Sequence, residues 1–311
     1  MIINRGRSKF RIVIEPSKYY TCIGESIYSY EKQYMHLDEH SRVLFKTKDF
    51  DVGLISGSTI EDVSFEDLFL DMSSESEYSC EKIDVEGLLK RSPKPLIVVG
   101  GAGRSGTTLL LSILGSHSSV YAFDEELYCF YPNPPRIRKL INAIDDSGEK
   151  DKRWCEKTPK NVKIFGNLLH TFEKHVKLIH VIRDGRDVIT SVHPAHTGRY
   201  WVSTERWIED VEAGLEHGDN VYRVKYEDIV LNTEKTLRSL CKFIEEPFEE
   251  EMMNYALKTS VANNIAWENA AQPIHSTNIG KWKSPEHAKV IDEFMNNEKA
   301  VSLLKKLGYK A

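Results

Sequence analysis

From residue 93 onward, short apolar runs alternate with longer amphipathic stretches. Leu96–Val99 is an unbroken apolar run of strand length, after which Leu110, Ile113 and Leu114 recur at helical spacing up to Gly115, which is placed to end the helix. Val176–Ile182 predicts a second buried strand, running into a helix that contains Ser191. Ser203–Leu215 predicts a helix with Trp207, Val211 and Leu215 on one face, and Val221–Tyr226 a third strand. Leu237, Leu240, Cys241 and Ile244 form the apolar face of a helix capped by Asn232 or Thr233. A helix over Glu249–Lys258, an irregular stretch over Ser260–Lys283 and a closing helix over Ala288–Leu307, stopped by Gly308, complete the pattern. This alternation predicts an α/β fold: an open parallel sheet flanked by helices.

Residues 1–92 read differently, as a smaller N-terminal extension of unknown role beside a main domain over 93–311. Phe10–Ile14, Val43–Phe45 and Asp51–Ile55 predict short strands, and Thr59–Met72, with acidic residues between Ile60, Val63, Phe65, Leu68 and Phe69, an amphipathic helix. Ser73–Ser79 is polar enough for a linker.

Composition narrows the class. With 41% hydrophobic and 29% charged residues the chain has the make-up of an ordinary globular protein, and its net charge of −5 gives no support to non-specific nucleic-acid binding. Any basic site must therefore be local. Five cysteines, odd in number and widely spaced, suggest reduced thiols in a cytosolic compartment. The eleven histidines show no metal-ligand spacing, and no run approaches the length of a membrane span or secretory signal.

The densest chemistry follows Val99. Gly100, Gly101 and Gly103 break the strand, and Arg104, Ser105, Gly106, Thr107 and Thr108 lead into the helix. Strand, glycine turn and helix start point backbone N–H groups and the positive end of a helix dipole at an anion. The spacing from Gly101 to Gly106 is that of a Walker A loop, but Thr107 stands where the lysine belongs. That lysine reaches the β- and γ-phosphates, so its loss argues against an ordinary P-loop kinase or ATPase. Arg104 supplies a basic group inside the loop instead. Arg183, after the next clear strand, and Ser191, eight residues on, form a pair suited to a second phosphate. Lys157, in Glu156-Lys157-Thr158-Pro159, stands at a strand end, and Asp124-Glu125-Glu126 offers carboxylates among aromatic neighbours. Ser276–Lys283, with Lys281, reads as a basic loop able to close over an anion.

Taken in order, these segments resemble the sulfotransferases that use 3′-phosphoadenosine 5′-phosphosulfate (PAPS). Gly101–Thr108 resembles the family's 5′-phosphosulfate loop and Arg183–Ser191 its 3′-phosphate motif. Val224–Ile229, the Gly280–Lys283 loop and the Leu307-Gly308-Tyr309 ending also fit. The likeness covers about residues 95–309, and Arg104 brings it closer to the tyrosylprotein and carbohydrate branches than to the cytosolic phenol and steroid branch. In that cytosolic branch a histidine follows Lys-Thr and acts as base. Here Pro159 stands there, so the resemblance moves the base to a glutamate after the first helix. Alignment through His117 with the tyrosylprotein branch favours Glu125, comparison with heparan-type enzymes favours Glu126, and Glu125 is narrowly preferred.

The resemblance implies transfer of the sulfuryl group from PAPS to an acceptor hydroxyl on a glycan, a tyrosine or a small molecule, releasing adenosine 3′,5′-bisphosphate without a metal. Lys157 is expected to assist the leaving group. Arg104 and the Gly101, Gly103, Ser105 and Gly106 loop would compensate charge on the sulfuryl and 5′-phosphate oxygens, Thr107 and Thr108 would hold the 5′-phosphate, and Arg183 with Ser191 the 3′-phosphate. Tyr226, Ser276 and Lys281 are further donor-binding candidates. Two alternatives are a P-loop nucleotide kinase and a non-catalytic nucleotide-binding protein on the same fold. The absence of a secretory or membrane segment fits a bacterial cytosolic enzyme better than a Golgi one.

Overall fold

The computed structural model describes residues 9–12, 18–23, 26–31, 42–46, 51–55, 60–64, 85–92, 94–130, 137–149, 151–193, 196–261 and 271–310. The chain divides into two compact units, Met1–Leu88 with Tyr128–Ile141, and Leu89–Leu127 with Asn142–Ala311.

Among the described residues the first unit has six strands in three antiparallel pairs. β1 (Lys9–Ile12) pairs with β6 (Ile60–Ser64), β2 (Lys18–Ile23) with β3 (Ser26–Glu31), and β4 (Arg42–Lys46) with β5 (Asp51–Ile55). The helix expected over Thr59–Met72 is thus replaced, over Ile60–Ser64, by a strand whose Val63 and Ile60 lie opposite Phe10 and Ile12. Cross-strand pairing there overrides the helical spacing of the apolar residues. The remainder of that segment and the linker expected over Ser73–Ser79 lie outside the described residues.

The second unit is built on a five-stranded sheet of β7 (Leu96–Gly101), β8 (Val120–Ala122), β9 (Arg153–Lys157), β10 (Val176–Ile182) and β13 (Val221–Lys225), in the order β13-β10-β7-β9-β8. Every pairing is parallel, with Val99 opposite Ile179 on one side and Lys157 on the other. A small antiparallel pair, β11 (Val192–His193) with β12 (His196–Tyr200), stands apart. All six residues of β7 are buried, as expected for a central parallel strand covered on both faces. Strand alternation puts Ile97, Val99, Ile179, Val181 and Val224 into one core with Leu110 and Leu114 of the helix Thr107–Leu114 and with Leu237, Leu240 and Ile244 of the helix Thr233–Ile244.

Against the other face lies the helix Thr204–Leu215, where Gly214 is set against His180 of β10. A Cβ on Gly214 would fall 2.1 Å from Nδ1 of that imidazole, so the close approach of helix to strand depends on glycine at this position. His180 is fully buried, and burial with the nearby Arg223 charge pushes its pKa down to about 3, so the ring is held neutral.

Three expected helices differ in detail. The helix after β10 is only Gly185–Ile189, so Ser191 lies just beyond its end rather than within it. Glu250–Leu257 is a 3₁₀ segment kinked at Asn254. The closing helix is two, Ala288–Met295 and Glu298–Lys306, because Asn297 leaves helical geometry and its side chain caps the second by accepting from Ala300 N at 3.0 Å. Among the described residues no helix is long and apolar enough to cross a membrane. Cys129, Cys155 and Cys241 are buried and unbridged.

Candidate active site

The parallel sheet brings the candidate residues to one edge. Arg104 follows β7, Glu125 and Glu126 follow β8, Lys157 ends β9, Arg183 follows β10 and Tyr226 follows β13. In an open parallel sheet this carboxyl edge is where ligands bind, above all where the strand order reverses. β7 is that strand here: the chain goes from it to β8 and β9 on one side and then crosses to β10 and β13 on the other.

The glycine loop is held by specific contacts. Ser105 N donates to Ala102 O at 3.1 Å, Arg104 adopts a left-handed φ of 67°, and Gly106 caps the helix with a φ of 96°. A side chain at Gly106 would be strained by that dihedral and would place its Cβ 2.5 Å from the Tyr226 ring. Glycine therefore lets the Tyr226 ring sit directly on the loop. Arg183 closes the other side: its Nη1 donates to Arg104 O at 2.9 Å, its Nη2 to Asn278 O at 2.5 Å, and its guanidinium stacks on Tyr226 at 4.6 Å from the ring centre. Burial raises the Tyr226 phenol pKa, which keeps that group neutral and able to donate.

One cleft is lined by Arg104, Gly106, Thr107, Thr108, Arg183 and Tyr226, all of them singled out in the sequence. Two guanidinium groups, two hydroxyls and a helix start converge there, which suits an anion bearing more than one charged group. Leu109, Tyr255, Gln272, Pro273, His275 and Asn278 complete the lining; of these only Asn278 falls in a segment the sequence singles out, the Ser276–Lys283 loop. Gln272, Pro273 and His275 lie where no apolar periodicity operates. Tyr255 is tied to that irregular segment by donating its hydroxyl hydrogen to Gln272 O.

Ser191, Ser276 and Lys281 do not line this cleft. The Ser191 hydroxyl donates to Asp187 O at 2.6 Å, Ser276 is exposed, and Lys281 is exposed in the turn Lys281–Lys283. That turn is anchored by Asp187, which no spacing or motif singles out. The buried Asp187 carboxylate accepts from Gly280 N at 2.8 Å and Trp282 N at 3.0 Å, while Arg186, paired with Asp184 at 2.8 Å, lies over the Trp282 ring at 4.1 Å. The Arg183–Asp187 segment and the Gly280–Lys283 loop are thus stitched together. The Tyr309 hydroxyl donates to Glu227 at 2.8 Å, and the other Glu227 oxygen accepts from Asp184 N at 3.0 Å.

On the other side of β7 the Lys157 ammonium donates to Glu126 Oε1 at 2.7 Å. Lys157 is 1% exposed and Glu126 27%, so the pair sits at the surface of the edge with the carboxylate outward. Glu125 is exposed. A carboxylate that can take a proton, beside a buried ammonium and one strand from an anion loop, is an acid–base arrangement for a group-transfer reaction. Trp201 and Arg206 border the same loop: each has an atom 3.4 Å from where a Gly103 Cβ would be. Among other aromatic residues, Tyr200 bonds His287 at 2.8 Å, Tyr128 and Phe130 fall in the first unit, and Tyr131 and Trp267 lie outside the described residues.

Comparison with known proteins bears on the family and the fold. A model described as "Sulfotransferase family" matches residues 134–250, which include Lys157, Arg183 and Tyr226. An uncharacterised protein of Aquifex aeolicus is 26% identical over 302 aligned positions, covering 79% of this chain and 39% of that protein. The protein-tyrosine sulfotransferase of Drosophila melanogaster is 23% identical, covering 68% of this chain and 51% of that protein. The chain therefore spans about two fifths to one half of the length of these curated relatives. Among solved structures, the sulfotransferase domain of the Synechococcus PCC 7002 olefin synthase superposes with a TM-score of 0.50 at 18% identity, covering 71% of this chain and 97% of that domain. That structural likeness bears on the fold, which is the parallel sheet with flanking helices described above. Over residues 134–250 the chain matches the model of the sulfotransferase family, and its loop and sheet topology make it similar to that family.

Proposed function

We propose that this protein transfers the sulfuryl group of PAPS to an acceptor hydroxyl, with Glu126 as base. The observation that carries the reading is the 2.7 Å contact between Lys157 and Glu126, one strand away from the cleft that holds Arg104 and Arg183. Arg104, Thr107, Thr108 and the loop N–H groups hold the phosphosulfate end of the donor, and Arg183 binds its 3′-phosphate. The acceptor oxygen attacks sulfur in line, the bond from sulfur to the bridging phosphate oxygen breaks, and the acceptor proton passes to Glu126. Lys157 stabilises the negative charge that develops on the bridging oxygen as adenosine 3′,5′-bisphosphate departs. By analogy with phosphoryl transfer, positioning and charge compensation supply most of the acceleration.

Contact with Lys157 favours Glu126 over Glu125 as the base, reversing the narrow preference drawn from alignment. The likeness to protein-tyrosine sulfotransferases makes a tyrosyl peptide the first acceptor to try, ahead of glycans and small phenols. Ser191, Ser276 and Lys281 remain donor-binding candidates that would need to reach the nucleotide from their present positions. The domain boundary near residue 92 and a bacterial cytosolic setting belong to the same proposal.

Calorimetric titration tests the donor assignment. Adenosine 3′,5′-bisphosphate should bind at least 100-fold more tightly than ATP with magnesium, and Arg183→Ala should remove most of that preference. Preferential binding of ATP would favour the kinase alternative and overturn the reading.

A further inference from the structure

Beside Lys157 lies a buried acid that the proposed chemistry does not use. Glu156 is fully buried on β9, opposite Val98 of β7. One carboxylate oxygen accepts from the Thr158 hydroxyl at 2.6 Å and the other from Asn161 Nδ2 at 2.5 Å. Thr158 and Asn161 are themselves fully buried, and Asn161 N donates to Thr158 O at 2.9 Å. A buried carboxyl is costly to keep in an apolar core, and an aliphatic side chain of similar size would fill the same space. Burial holds the Glu156 carboxyl up near 7 even though the Lys157 charge and both hydrogen bonds favour its ionised form.

The placement of those bonds supplies a reason for the acid. Thr158 and Asn161 bracket Pro159, where the strand ends and the 3₁₀ segment Pro159–Ile164 begins. By gripping both, Glu156 fixes the turn of the backbone immediately after Lys157, and strand alternation turns the Lys157 side chain the opposite way. The lysine is the last residue of its strand and has no following β-residue to hold it in register. Its ammonium must meet Glu126, which is carried by a different strand connection, across 2.7 Å.

We propose that Glu156 is a positioning residue: through Thr158 and Asn161 it holds the corner that presents Lys157 to Glu126 and to the departing bridging oxygen. This inference rests on the proposed role of Lys157. A displacement of about 1 Å at such a group can cost on the order of 100-fold in rate.

The test uses the full chain and two variants that cut the tie at opposite ends, Glu156→Leu and Asn161→Leu. Crystal structures of both should show Lys157 Nζ withdrawn from Glu126 by about an ångström or more. In a transfer assay kcat should fall at least tenfold while the donor KM stays within twofold. Should Glu156→Leu not fold, Asn161→Leu alone decides. A Lys157–Glu126 contact that survives unchanged, or a loss that falls on donor KM with kcat intact, overturns the inference. If the wild-type chain transfers no sulfuryl group to any acceptor, the proposed function fails, while the crystallographic comparison still decides whether Glu156 positions the lysine.

Discussion

The Lys157 ammonium and the Glu126 carboxylate meet at 2.7 Å on the carboxyl edge of the sheet, whereas the neighbouring Glu125 is exposed. The two glutamates should therefore differ sharply when neutralised. Glu126→Gln is expected to lower kcat by about 10²–10⁴-fold, the usual worth of a general base. Glu125→Gln should stay within a few-fold of wild type. Steady-state kinetics with saturating donor checks both.

Gly106 joins a left-handed backbone to direct contact with the Tyr226 ring. Gly106→Ala should displace Tyr226, disturb the stacked Arg183 and weaken adenosine 3′,5′-bisphosphate binding at least tenfold. Calorimetry reads the affinity, and a far-ultraviolet spectrum close to wild type would place the loss in the loop rather than in the fold.

Asp187 ties the Gly280–Lys283 turn to the arginine segment through two backbone N–H groups. Asp187→Asn turns an amide N–H₂ toward one of those donors and leaves it without an acceptor, at a cost of about 1–3 kcal/mol. The turn should then be cut faster in limited proteolysis than in wild type, with new cleavage after Lys281 or Lys283.

His180 makes stability pH-dependent. Its folded-state pKa, down near 3, lies below the ordinary 6.5, so between those values the unfolded chain takes up a proton that the folded chain refuses. The stability that depends on a neutral ring is complete above pH 6.5 and is lost as the pH falls toward 3, by at most about 1.4 kcal/mol per pH unit. Glu156 and Asp210, with carboxyls held up near 7 and 6, act in the opposite sense. The prediction therefore concerns a difference: urea midpoints of wild type should fall more steeply from pH 6.5 to 4.5 than those of His180→Met.

Much of this arrangement was legible in the sequence because it rests on local signals. The run Leu96–Val99, its glycines and the helix that follows announce themselves through apolar spacing and backbone freedom, and the structure puts Arg104, Gly106, Thr107, Thr108, Arg183 and Tyr226 in one cleft. What escaped depends on contacts between distant segments. Asp187 reads as one charge among several in Arg183–Asp187, and only the fold brings Gly280 and Trp282 to it. Gln272 and His275 lie in a stretch without periodicity. Likewise, spacing alone could not separate Glu125 from Glu126, since the decision lies with a lysine 31 positions away. The break at Asn296–Asn297 was hidden by apolar spacing that continues across it, although Asn297 is a capping residue by type.

The most direct measurement of the central claim is transfer from sulfur-labelled PAPS to a panel of tyrosyl peptides, glycans and phenols, run in parallel with wild type and Lys157→Ala. Label should reach at least one hydroxyl acceptor with wild type and fall by more than 100-fold with Lys157→Ala, while adenosine 3′,5′-bisphosphate still binds the variant. Tight binding of that nucleotide with no transfer to any acceptor, or transfer undiminished in Lys157→Ala, would contradict the account.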